Sequence, residues 1–273
     1  MVSIGRELRS DGRRIGLVPT RGALHEGHLA LMSRARELSD VVIVSILHPP
    51  GSEPEASPPR VDLARDAELA FTRGVEFIFS PSPGDMFTQR HSSFVTVEGL
   101  SQKLEGEGRP GRFRAITTAT NKLVNIVQPH FLLLGRKDAQ QAIIVKRMVR
   151  ELAVDVEVVV CPTVREEDGL ALSSSNIRLN TEERKSATVL RRALERCQAL
   201  HNGGERDSSR LASSMHSVLE AEPLSRIEYI AITDTEWLEP VDTVPASVPT
   251  LVSLAVYIGA IRLTDNVVLN GEL

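Results

Sequence analysis

Residues 15–32 read IGLVPTRGALHEGHLALM, and this stretch decides how the rest of the chain is read. A β-branched apolar run (15–20) enters a glycine-bearing loop, and the loop runs into an amphipathic helix from about Gly27. Strand, loop and helix in that order place the loop and the first helical turn at the carboxyl end of the strand. Unpaired N–H groups and the positive end of the helix dipole favour an anion there, and glycine lets the backbone approach it closely. His25 and His28, three residues apart at the helix start, can point to one side. There they can donate to phosphate oxygens and stabilise charge that grows during phosphoryl chemistry. Capping or packing is the competing role for histidines so placed. A zinc helix fits poorly: HEGH is one residue short of H-E-x-x-H, Gly27 sits inside it, and no third ligand cluster accompanies it.

Outward from this segment the pattern repeats. Strand-like runs at VVIVSIL, VEFIFSP, FLLLG and VEVVVCP alternate with helix-period runs near residues 62–73, within AITTATNKLVNIV and in DAQQAIIVKRMVREL. That alternation predicts an α/β domain with a parallel sheet covered by helices on both faces, whose ligands sit beyond the carboxyl ends of its strands. After PTVREEDGLALSSSN the pattern changes to two helices, about 181–201 and 210–220, then the runs RIEYIAI and LVSLAVYIGAIRLTDN. This predicts a smaller α+β domain. The boundaries are residues 1–163 and 164–273, and HPPGSEPEASPPR is the one Pro-rich tract.

Composition excludes several classes. The 273 residues are 41% hydrophobic and 25% charged, with a formal net charge of −4, which describes neither a nucleic-acid binder nor a membrane protein. The cysteines, Cys161 and Cys197, have no metal-ligand or disulfide-rich spacing and are expected as free thiols in a cytoplasmic setting.

A second strand end, LLLGRKDAQQ, resembles the first in its layout. Gly135 is followed by Lys137, a point charge for a phosphate; Asp138, a helix cap or a partner for a ribose hydroxyl; and Gln141, one turn on, a hydrogen-bonding group for an acid. A third cluster, Ser173 to Ser175, lies in a turn past the domain boundary, where its donors can close over a triphosphate or merely fill a loop.

Taken together, VPTRGALHEGHLALM, NIVQPHFLLLGRKDAQQ, KRMVRELAVDVEVVVCPTVREEDGLALSSSN and GAIRLTDN resemble the pantothenate synthetase, or pantoate–β-alanine ligase, family, with the motifs in family order over nearly the whole chain. The resemblance implies a Rossmann-like nucleotidyltransferase domain, a C-terminal lid domain and a homodimer. It also implies a reaction in which a carboxylate attacks the α-phosphate of ATP with Mg²⁺, pyrophosphate leaves, and an amine takes the acyl group from the acyl-adenylate. No metal-binding residue of the protein itself is expected, and neither nucleic acid nor membrane is a partner. By resemblance His25, His28 and Lys137 contact the phosphates or the adenylate, and Ser173 and Ser174 close on them. Pro19, Gly27, Leu47, Gly135, Asp138 and Val164 match positions at the nucleotide, and Thr20, Arg21 and Gln141 match positions at the acid.

The acid pocket departs from the family pattern. Where the family has VNPxQF this chain has HPPGSE, so that Pro49 replaces an asparagine and Ser52 a pantoate-binding glutamine. Arg21, Arg112, Ala115, Arg136, Ala139 and Ser175 also stand at positions where the family pattern has other residues. Three readings follow: a pantothenate synthetase with an altered pocket, a related ligase joining a different acid and amine, or a non-catalytic nucleotide-binding protein.

Overall fold

The computed structural model describes residues 1–52 and 62–273; residues 53–61, which include much of the Pro-rich tract, lie outside the described residues. Two compact units emerge, Met1–Gly135 with Gln140–Pro162, and Arg136–Ala139 with Thr163–Leu273. The sequence reading assigns 136–139 to the first domain; by their contacts these residues go with the second unit.

In chain order the first part contains α1 Val2–Ser10, β1 Ile15–Thr20, α2 Glu26–Leu38, β2 Val41–Ile46, α3 Leu63–Phe71, β3 Phe77–Phe79, α4 Pro83–Met86, α5 Arg112–Val127, β4 Phe131–Gly135, α6 Ala139–Glu151 and β5 Glu157–Cys161. The strands form one parallel sheet in the order β3-β2-β1-β4-β5. The chain builds outward from β1 to one side, then returns to its other side at β4. That reversal between β1 and β4 is the switch point at which such sheets leave a crevice beyond their strand ends. Every residue of β2 is buried, as expected of a strand covered on both faces. Val18, Val42, Val44 and Leu133 from the sheet pack with Leu29, Met32 and Ala35 from α2.

The sequence reading does not anticipate α1. Its polar residues outnumber its apolar ones, and its placement turns on Gly5, where a Cβ would stand 2.4 Å from the Val127 carbonyl oxygen at the end of α5. At the amino-terminal edge of the sheet, the Ile15 N–H donates to His130 Nδ1 at 3.0 Å. Burial, helped by the Arg9 charge, holds the His130 imidazole below its ordinary pKa.

The second unit holds a 3₁₀ turn at Arg136–Asp138, helices α7 Thr181–Ser186, α8 Val189–Asn202 and α9 Ser208–Glu220, and strands β6 Ser225–Asp234, β7 Thr250–Ile258 and β8 Ile261–Leu269. The three strands form an antiparallel sheet in the order β6-β7-β8. One face, including Val252, Leu254, Val256, Leu263 and Val267, packs with Leu190, Leu194, Leu211 and Met215 of the helices. The single helix expected over 181–201 is broken between α7 and α8. There the Thr188 hydroxyl donates to the Lys185 carbonyl at 2.8 Å, a local bond that competes with helix continuation. Cys161 and Cys197 are buried free thiols, and burial pushes Cys197 up to about 11.

Two outcomes test this packing. Gly5→Ala forces a Cβ against backbone and should cost about 1–3 kcal/mol in urea denaturation. For His130, the unfolded chain binds a proton at pH values where the folded one does not. Stability therefore falls as pH drops below about 6.5 toward the lowered folded value and levels off beneath it. His130→Phe, though less stable throughout, should show a shallower slope in that window.

Candidate active site

The histidine loop is built from the sheet outward. Thr20, buried at the end of β1, donates its hydroxyl to the Ser45 carbonyl on β2 at 2.9 Å and accepts from the Gly22 N–H at 3.3 Å. Gly22 has φ 81° and Ala23 φ 51°, so the chain turns through the left-handed region, where glycine is unstrained and alanine is not. Asp66 holds that turn. Its fully buried carboxylate, from α3, accepts from the Ala23 and Leu24 N–H groups at 2.8 Å each.

His25 is the N-cap of α2, and its Nδ1 accepts from the Gly27 N–H at 3.2 Å. His28, three residues on, accepts the His25 N–H on its own Nδ1 at 3.4 Å, completing a reciprocal capping box made of imidazoles. The rings lie 4.1 Å apart between centroids, tilted by 42°. The competing capping role is therefore real. It also fixes the chemistry: a ring that accepts on Nδ1 carries its neutral-form proton on Nε2, so both imidazoles are Nε2–H donors.

The remaining candidates fall in several places. Leu47 is buried and donates its N–H to the Thr20 carbonyl at 3.0 Å, while Pro19 lies within β1 and Arg21 directly follows it. Gly135 ends β4 with open space where a Cβ would stand. Gln141 and its neighbour Gln140 divide cleanly. Gln140 is buried and fully engaged, accepting from the Glu105 N–H and donating to the Leu100 and Lys103 carbonyls, whereas Gln141 is half-buried.

In the second unit Lys137 lies in the 3₁₀ turn with Asp138. Val164 begins a hairpin in which its carbonyl accepts the Leu172 N–H at 3.0 Å, and Arg165 bridges to Ala171. Beyond it, Ser173 caps a 3₁₀ helix, Ser174–Arg178, its Oγ accepting from the Ser175 N–H at 3.3 Å. Asn176 ties this turn back, donating to Glu166 at 3.0 Å and to the Ala171 carbonyl at 3.1 Å. Arg184 grips Glu166 and Asp168 at 2.6 Å each, and its hydrogen bond holds the Asp168 carboxyl below the usual carboxylate range.

Of the positions that depart from the family pattern, Arg21, Pro49, Ser52, Arg112 and Ala115 lie in the first unit, and Arg136, Ala139 and Ser175 in the second. Ser52 is buried and closes a turn, its hydroxyl donating to the Pro49 carbonyl at 2.7 Å, and Arg112 donates to the Ser52 carbonyl at 3.1 Å. A cavity of about 530 Å³ lies beside them, lined by Pro50, Gly51, His91, Phe94, Arg114 and Ala115 among others. The Arg114 guanidinium stacks 3.8 Å from the centre of the Phe94 ring, and His91 meets the Phe87 and Phe94 rings edge-on. None of the sequence-predicted histidine, lysine or serine candidates is among its lining residues.

The pantoate-beta-alanine ligase family model matches residues 1–268. The chain belongs to that family. The pantothenate synthetase of Pelotomaculum thermopropionicum is 48% identical over 271 residues, covering 98% of this chain and 95% of its own length. That of Heliobacterium modesticaldum is 47% identical over 272 residues, with 98% and 96% covered. Among solved structures, the pantothenate synthetase of Thermus thermophilus superposes with a TM-score of 0.88 at 39% identity, covering 96% of each chain. The pantoate-beta-alanine ligase of Francisella tularensis, complexed with beta-gamma ATP and beta-alanine, gives a TM-score of 0.75 at 29% identity over 97% of this chain and 95% of its own. Family membership covers both units, parallel sheet and antiparallel sheet alike.

Asp66, the anchor of the histidine loop, is the residue that sequence reasoning missed. Its only signal is a carboxylate amid the helical run LARDAELAF, a position that also suits a solvated face. Asp66→Ala would leave two N–H groups without their acceptor at about 1–3 kcal/mol each. The variant should unfold at markedly lower urea concentration than Asp66→Asn, which keeps one acceptor oxygen.

Proposed function

We propose that this member of the pantoate-beta-alanine ligase family joins pantoate to β-alanine at the expense of ATP, through a pantoyl adenylate. Near-full-length relatives that are pantothenate synthetases, and a family structure holding an ATP analogue and β-alanine, support this pair of substrates. They give no support to a different acid and amine or to a non-catalytic protein. The observation that carries the chemistry is the imidazole capping box at the end of β1, which turns both histidines into Nε2–H donors at a helix N-terminus.

A carboxylate acylates poorly, so its oxygen first attacks the α-phosphorus of ATP while the bond to the bridging oxygen breaks and pyrophosphate leaves. The amine of β-alanine then attacks the acyl carbon, AMP departs with the bonding pair, and the amine loses a proton. The protein's contribution is to align two anions and to neutralise the charge they bring together. His25 and His28 donate to phosphate oxygens, and Lys137 adds a point charge. Ser173 and Ser174 close on the same groups, limiting water that would hydrolyse the anhydride. Pro19, Gly27, Leu47, Gly135, Asp138 and Val164 line the nucleotide, while Gln141, Thr20 and Arg21 serve the acid.

Mg²⁺ arrives as part of the nucleotide substrate, since that ion is commonly held by substrate phosphates and few protein carboxylates. Among the described residues no three His, Cys, Asp or Glu side chains gather to hold a metal. A homodimer, on the family resemblance, and a cytoplasmic location, on the two free cysteines without disulfide spacing, complete the reading; no helix among the described residues is long and apolar enough to cross a membrane.

Pantoate-dependent exchange of labelled pyrophosphate into ATP tests the proposal, and should exceed exchange with any other acid in a panel. His28→Ala should lower it by about 10²-fold or more, at a stability cost near 1 kcal/mol for the lost cap. Exchange supported only by another acid would overturn the substrate assignment, and an unchanged rate in His28→Ala would remove that residue from the chemistry.

A further inference from the structure

Asp265 and Asn266 are adjacent on β8, and their side chains leave it on opposite faces. Asp265 is 2% exposed on the face that packs against the helices, where a charge needs a partner. Arg165 supplies it as a two-pronged fork, Nη1 to Oδ2 at 2.7 Å and Nη2 to Oδ1 at 3.0 Å, and also donates to the Gly169 carbonyl at 3.0 Å. The Asn266 N–H donates to the same carboxylate at 2.8 Å. The backbone at 265–266 is thus pinned from the core side.

Asn266, 4% exposed, is held on the other face. Its amide nitrogen donates to the Arg136 carbonyl at 2.9 Å and the Lys137 carbonyl at 2.8 Å. The amide cannot be turned round, because its oxygen would then face two carbonyl oxygens. Among the described residues Oδ1 has no hydrogen-bond partner, nor does the hydroxyl of Ser253, which lies directly opposite on β7. A buried acceptor left unpaired costs free energy that an apolar residue would avoid. Both amide hydrogens are nevertheless committed to one short turn, the one that presents Lys137.

We infer that Asn266 is a positioning residue for adenylation. It clamps the two carbonyls that flank the Lys137 Cα, those of Arg136 and Lys137, and the Arg165–Asp265 fork keeps the clamp in place. The inference rests on the reading that Lys137 acts on the phosphates. A turn freed from the clamp would let the ammonium drift, and misplacement by about 1 Å can cost on the order of 10²-fold in rate.

The test is a double-mutant cycle on pantoate-dependent pyrophosphate exchange, run at enzyme concentrations high enough to follow residual turnover, with thermal melts of every variant. Asn266→Asp replaces the two-hydrogen donor with an acceptor of the same shape. It should lower the exchange rate at saturating substrate about tenfold or more while leaving KM for pantoate near that of the parent. Asn266→Ser, which keeps one donor, should fall between the two. Combined with Lys137→Ala, Asn266→Asp should cause no further loss, because it acts through that lysine. Additive losses, or full activity in Asn266→Asp while Lys137→Ala is slow, would overturn the clamp and leave the lysine reading intact. Full activity in Lys137→Ala would overturn the lysine reading and the clamp with it. If Asn266→Asp does not fold, Asn266→Ser goes through the same cycle under the same criteria.

Discussion

Two N–H groups ending on one buried carboxylate hold the loop that carries the two histidines of this ligase family member. Ala23 and Leu24 donate to Asp66, and without that anchor a turn through the left-handed region would have nothing to set where α2 begins. With it, His25 caps the helix that starts at Glu26, and the N–H groups of Gly27 and His25 are met by imidazole nitrogens. The same bonds that cap the helix dictate the tautomer, so each ring offers its Nε2 proton at the positive end of a helix dipole. Capping and the proposed donation do not compete in these histidines, since the cap uses Nδ1 and the donation is proposed for Nε2.

The second unit solves a similar problem differently. Its two candidate stretches, the Lys137 turn and the serine turn, are short 3₁₀ segments. Both are tied by side chains from elsewhere in the unit: Asn266 to the first, Arg184 and Asn176 to the hairpin and turn leading to the second. Short turns so braced lose less conformational entropy when a ligand binds, which is what preorganisation means in energetic terms.

The parallel sheet was legible because hydrophobic period separates strands buried on both faces from helices buried on one. β1, β2, β4 and β5 announce themselves as continuous apolar runs between glycine-bearing or polar turns. Features set by tertiary contact were not. Helix α1 is polar, and only the close approach at Gly5 explains its seat. The break at residues 187–188 comes from one hydroxyl competing with the backbone. Residues 136–139 follow a strand of the first unit yet gather with the second, because Asn266, some 130 positions on, reaches them. His25 and His28 could be singled out as candidates by their paired spacing at a strand end, and Lys137 as a candidate by its motif's resemblance to the family. Asp66 and Asn266 could not, since a lone carboxylate or amide acquires meaning only from the backbone groups it meets.

If the capping box turns its imidazole donors toward the nucleotide phosphates, as proposed, nucleotide binding must register at Nε2 of both rings. Nitrogen-15 NMR of the labelled histidine rings, recorded with and without a non-hydrolysable ATP analogue, tests this most directly. Both rings should be protonated at Nε2 in the free protein, and the Nε2 resonances of His25 and His28 should move on nucleotide binding while their Nδ1 signals stay in the acceptor range. Rings protonated at Nδ1, or Nε2 resonances that do not respond to saturating nucleotide, would contradict it.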